Sequence, residues 1–112
     1  MLRIEIENDE AGFHLLRLFG VLDGLTYLDF QKVMNQSIEN DAKHIVLDMN
    51  AVNYVSSAGL RVFLQGAKSL KKRKGEIVLF GMNATVNEVF KLSGFEKIFR
   101  TFSDEEEAVA SI

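Results

Sequence analysis

The sequence predicts an α/β protein, a mixed sheet of four or five strands flanked by four helices, and three observations carry that prediction. Two short, continuous apolar runs, "HIVLDM" and "EIVLF", read as strands covered on both faces. Stretches with apolar residues every three or four positions lie between and after them and read as helices. The opening "LRIEIE" alternates apolar and polar residues with period two, as a half-buried strand does. The order that results is strand, strand, helix, strand, helix, strand, helix, strand, helix. It implies a mostly parallel sheet with an antiparallel contribution from the first two strands.

Each element has its own reason. After "LRIEIE", the polar "NDEAG" turns the chain, and "FHLLRLFGVL", Phe13 to Leu22, reads as a second strand. "LTYLDFQKVMNQSIEN" places Tyr27, Phe30, Met34 and Ile38 on one helical face. The third strand is expected over Ile45 to Met49. Leu60, Phe63, Leu64, Ala67 and Leu70 then share the apolar face of a second helix, and Gly75 follows its basic last turn as a C-terminal stop. "EIVLF" is the fourth strand, "ATVNEVFKLSG" a short helix halted by Gly94, and "KIFRTF" a last strand. In "SDEEEAVASI", Ser103 with Glu106 fits a capping box, with acidic residues on the positive end of a fourth helix. Ile45, Val46, Leu47, Leu60, Phe63, Leu64, Val78, Leu79, Val89 and Phe90 are the expected buried residues.

Composition bounds the function. At 112 residues the chain is expected to form one domain, residues 1–112. An apolar share of 47% supplies a core, and a charged share of 26% is that of an ordinary soluble protein. There is no cysteine, which excludes disulfides and thiolate metal sites, and with only His14 and His44 neither a metal nor a cofactor is expected. Both histidines read as ordinary surface or sheet-face residues. "MLRIEIENDE" has no apolar signal core, and no apolar run approaches the roughly 20 residues of a membrane span, so a cytoplasmic location is expected. A net charge of -3 gives no general attraction for nucleic acid or membrane. The basic "KSLKKRK", Lys68 to Lys74, is what a helix dipole favours in a last turn, and reads as a solvated face.

The stretch that asks for a function is "VSSAGLR", where the third strand gives way to the second helix. A helix starting near Ser57 leaves backbone N–H groups without intrahelical partners and concentrates roughly half a positive charge there. A serine at that point fits a helix cap, and the same geometry would hold a phosphate attached to it. A nucleophilic serine would need a base and an oxyanion hole. The Gly-x-Ser-x-Gly elbow is absent, and neither histidine follows a triad pattern, so no catalytic residue is assigned. Asp23 fits a cap for the first helix or its preceding turn, and Gly20 and Gly59 fit backbone needs.

These residues resemble the central motif of the STAS family, the sulfate transporter and anti-sigma factor antagonist domains. Asp48 matches the strand-end acid, Val52 and Tyr54 the apolar stretch, Ser57 the phosphorylated serine, Ala58 the small residue, and Gly59 and Leu60 the closing pair. Ser56 departs, standing where the family usually has Asp. Upstream, Gly20, Leu22 and Asp23 are similar to the family's Gly-x-Leu-Asp. Downstream, "VNEVFKLSGFEKIFRTFSDEEEAV" is similar to its closing pattern, so the resemblance spans nearly the whole chain. The STAS-like fold it implies agrees with the periodicity.

The resemblance implies a switch component with no reaction of its own. A partner anti-sigma factor that is also a serine kinase would phosphorylate Ser57, with Ser56 the second choice, and a serine phosphatase would reverse it. Asp23, Ser56, Ser57, Ala58, Gly59 and Arg61 would form the partner-binding surface. The unphosphorylated antagonist would bind the anti-sigma factor and the phosphorylated one release it. The alternative is a non-phosphorylated STAS interaction module in a lipid-transport or stress-signalling assembly. Neither reading fixes an oligomeric state.

Overall fold

In the computed structural model, which describes residues 1–8 and 12–112, most apolar runs of the sequence become a strand or a helix face. The chain runs β1 (Leu2–Asn8), β2 (Phe13–Leu22), α1 (Tyr27–Glu39), β3 (His44–Val55), α2 (Ser57–Lys71), β4 (Glu76–Phe80) and α3 (Ala84–Leu92). A 3-10 turn at Phe95–Lys97, β5 (Arg100–Phe102) and α4 (Glu105–Ala110) complete it. The five strands form one sheet in the order β1-β2-β3-β4-β5. β1 is antiparallel to β2, and all other neighbours are parallel. The turn expected over "NDEAG" falls mainly on residues 9–11, outside the described residues.

The side-chain alternation of the strands divides the interior into two cores of unequal size. Leu16, Leu18, Ile45, Leu47, Ile77 and Leu79 face the side covered by α1, α2 and α3. Crossovers of one hand that advance across a sheet in one direction put their helices on one face, and these three do so. Phe63 of α2 is the hub of this layer, with ring centroids 5.0 Å from Phe30 of α1 and 5.3 Å from Phe90 of α3, both edge to face. The other face holds Leu15, Val46, Val78 and Phe80, and α4 covers it through the buried Ala108. On that side the Arg17 guanidinium lies 3.0 Å from Glu7, 2.8 Å from Asp48 and 2.9 Å from Glu105, which ties α4 to the sheet. These hydrogen bonds, that to Glu7 above all, push the guanidinium's pKa further up.

Several details differ from the expectation, each for a local reason. β3 continues past Met49 to Val55, because two register shifts against β2 insert extra residues, and core positions then recur at Met49, Val52 and Val55 rather than at every second residue. α1 starts at Tyr27 and is preceded by Thr26. The last strand is confined to Arg100–Phe102. The cap of α4 is Asp104, which accepts from the Glu107 N–H at 2.9 Å, so the box expected from Ser103 and Glu106 is displaced by one residue. Leu60, Leu64 and Val89 are half-buried, since each sits at the margin of its helix face, while the other seven expected core residues are buried. Past the end of α2 the left-handed residue is Lys74, at φ 61°, and Gly75 serves a close approach instead: a Cβ there would meet the Lys43 carbonyl oxygen.

Removing the hub ring should cost more than any exposed change. Phe63→Ala is expected to lower unfolding free energy by about 3 to 5 kcal/mol, read from the midpoint of urea denaturation at unchanged slope.

Candidate functional site at the start of α2

The end of β2, the turn into α1 and the start of α2 are built as one unit. The backbone N–H of Ser56 donates to the Leu22 carbonyl at 2.8 Å, which pins the start of α2 to the end of β2. Gly59 is buried in that contact, where a Cβ would lie 2.8 Å from the Leu22 carbonyl oxygen and 3.0 Å from the Leu22 Cβ. One residue on, the Asp23 carboxylate accepts from the N–H groups of Leu25, at 2.9 Å, and Thr26, at 3.2 Å. The buried Thr26 hydroxyl accepts from the Asp23 N–H at 3.0 Å and donates to the Val21 carbonyl at 2.8 Å. Asp23 therefore shapes the turn that launches α1.

The two serines divide the work. Ser56, with extended φ and ψ of -92° and 176°, is the N-cap of α2, and its Oγ accepts from the Gly59 N–H at 3.4 Å. Ser57 is the first residue of the helix and is exposed, and its hydroxyl enters no hydrogen bond among the described residues. The cap that Ser57 was a candidate for belongs to Ser56, since only a residue with extended backbone just before the first turn can turn its side chain back on the N–H of the third. Ala58 is half-buried and Arg61 exposed.

The end of the sheet that carries Ser57 has exposed apolar side chains that the motif alone did not mark. Leu25 is 93% exposed, Leu28 61% and Tyr54 48%. Leu28 stands off the helix face set by Tyr27, Phe30 and Met34, a signal present in the spacing. Tyr54 is turned outward by the second register shift of β3, which nothing in the sequence announces. α1 and α2 lie side by side in near-constant register, with Phe30 beside Phe63, Gln31 Nε2 2.9 Å from Gln65 Oε1, and Met34 against Gly66. That register sets Leu28 about level with Arg61. His14 and His44 lie near the opposite ends of their strands, at the starts of β2 and β3, so neither histidine is brought to the serines. A cleft of about 630 Å³ lies elsewhere, past the ends of β4 and β5 among Asn50, Asn87, Thr101 and Ser103.

The fold thus presents an exposed serine on the first turn of α2, at the end of the sheet where β2 gives way to the turn into α1. The chain belongs to the STAS domain family, whose model matches residues 5–108. BtrV of Bordetella bronchiseptica, described as an anti-sigma factor antagonist, is 35% identical over 100 residues, covering 89% of this chain and 86% of that protein. The anti-sigma F factor antagonist of Paenibacillus polymyxa is 30% identical over 112 residues, covering 99% and 95%. The Bacillus protein SpoIIAA has the same fold. Its unphosphorylated form aligns with a TM-score of 0.83 at 24% identity, over 96% of this chain and 93% of that one. Its phosphorylated form aligns at 0.75 and 21%, over 97% and 98%.

The division between the serines has a measurable consequence. Ser56→Ala should cost roughly 0.5 kcal/mol, the low end of the range for a lost cap because its bond is long, whereas Ser57→Ala should change stability by less than about 0.5 kcal/mol. Gly59→Ala should cost about 1 to 3 kcal/mol by overpacking against Leu22. Thermal and urea denaturation of the three variants would test the ordering, and a Ser57→Ala loss larger than that of Ser56→Ala would reverse the assignment.

Proposed function

We propose that this chain, as one STAS domain over residues 1–112, is an anti-sigma factor antagonist whose affinity for its partner is switched by phosphorylation of Ser57. The observation that carries the reading is the exposed hydroxyl of Ser57 on the first turn of α2, without a hydrogen bond among the described residues, in a chain of this family whose neighbouring serine takes the cap. In this reading the partner is an anti-sigma factor that also acts as serine kinase, and a serine phosphatase restores the hydroxyl. The chain itself catalyses nothing and acts in the cytoplasm.

The physics of the switch follows from where the charge goes. At the first residue of α2, a phosphate's oxygens meet N–H groups that the helix leaves unpartnered and a dipole that favours negative charge, so the modified chain stays folded. The same phosphate adds about -1.5 to -2 charge at the end of the sheet that exposes Leu25, Leu28 and Tyr54, and a partner packing there must then desolvate a dianion. A loss of ~3 kcal/mol would weaken binding more than a hundredfold.

The test joins phosphate mapping to affinity. In protein recovered from its own cells, mass spectrometry should place phosphate on Ser57. Ser57→Ala should take no phosphate from the cognate kinase and bind the partner constitutively, and Ser57→Asp should fold yet bind at least about tenfold more weakly. Incorporation lost in Ser56→Ala but kept in Ser57→Ala would move the acceptor by one residue. Tight binding indifferent to both changes would favour the non-phosphorylated interaction module.

A further inference from the structure

The opposite end of α2 carries a second surface that the switch does not use. A groove of about 300 Å³ opens there, with the buried Ile77 and Phe99 at its base and Leu64, Ala67 and Ile98 along it. Ile98 is 53% exposed, although it is a large apolar residue. Lys68 and Lys71 border the groove, and Lys72, Arg73 and Lys74 continue the exposed basic run. Glu76 also lines it, but its carboxylate is held by Arg100. Five of the chain's 13 basic residues thus stand in seven consecutive positions of a protein whose net charge is -3. The helix dipole accounts for the basic residues, but not for the exposed apolar groove they border.

The complement of this surface is present on the same chain. The outer strip of α4 exposes Glu106 and Ala110 beside the half-buried Val109, around a shallow, mostly apolar concavity. Glu106 and Glu107 enter no ion pair among the described residues, while Glu105 is taken by Arg17. Small apolar side chains flanked by carboxylates suit an apolar groove flanked by ammonium groups. The two patches cannot meet within one molecule, because α2 and α4 pack on opposite faces of the sheet.

We propose that the groove bordered by Lys68 and Lys71 binds the outer strip of α4, Glu106 to Ala110, of a second copy of this chain. Because each copy gives one patch and receives on the other, the contact is heterologous and extends head to tail. Patches of this size make a weak contact, formed at high concentration and weakened by salt. The groove lies about 10 to 20 Å from Ser57 along the axis of α2, so each copy in a row keeps its serine surface uncovered.

Sedimentation of the whole chain, from micromolar to millimolar concentration at low and high salt, tests this. The wild type should gain mass with concentration and lose it with salt. K68E/K71E and E106K should each self-associate at least about tenfold more weakly while keeping the wild-type circular dichroism. Mixing the two should restore pairing, since each retains one intact patch, and the combined K68E/K71E/E106K chain should associate again. Ile98→Ser, which alters no charge, should weaken association as well. A wild type that stays monomeric at millimolar concentration overturns the proposal, as does association that survives every variant. Lysine-dependent binding to vesicles of anionic lipid by a protein that remains monomeric would also overturn it.

Discussion

The candidate site depends on one short contact, the bond from the Ser56 N–H to the Leu22 carbonyl, made possible by a glycine three residues into the helix. It fastens the first turn of α2 to the last residue of β2, and so fixes where α2 begins relative to the turn that launches α1. Asp23 and Thr26 then complete the junction from the other side, their side chains accepting from backbone N–H groups and the Thr26 hydroxyl donating to the Val21 carbonyl. Beneath it, the Phe30–Phe63–Phe90 stack holds α1, α2 and α3 on the same face. A side chain at the start of α2 is therefore presented from a rigid platform, although it stands in water.

In the proposed switch, the pairing of two serines at such a junction separates structure from signalling. Capping requires a side chain folded back on its own helix, and modification requires one that reaches away from it. In the proposed reading the adjacent serines hold one position each, Ser56 the cap and Ser57 the modified hydroxyl. The family's usual Asp at the first position would also be a good cap, so Ser56 keeps the structural function while removing a negative charge from beside Ser57. A phosphate on Ser57 then meets less local repulsion from its own chain.

Most of the architecture was legible because two periodicities rarely conflict in this sequence. The continuous runs at Ile45 to Leu47 and Ile77 to Phe80 could only be buried strands at that length, and the helical faces through Phe30, Phe63 and Phe90 pointed at them. What escaped was set by geometry between elements. The register shifts of β3 break the alternation that a strand reading relies on, which hid both the strand's true end at Val55 and the outward turn of Tyr54. Leu60, Leu64 and Val89 lie on the right faces, but how far a neighbouring element extends over them cannot be read from spacing. In the site, the position of the serines was legible and their division was not. Which of two identical hydroxyls caps a helix depends on a single pair of backbone angles.

The sheet is covered unequally, with three helices on one face and a six-residue helix on the other. α4 is fastened by a small apolar contact at Ala108 and by the Arg17–Glu105 pair, at a place where solvent reaches both groups. Segments with so few buried contacts open locally at a small fraction of the global unfolding free energy. Amide hydrogens of β3 and β4 would remain protected through such openings, since their ladder bonds lie inside the sheet, and those of α4 would exchange early. The protein thus has a hard side that carries the serine and a soft side at its C-terminus, and wear on one need not register on the other.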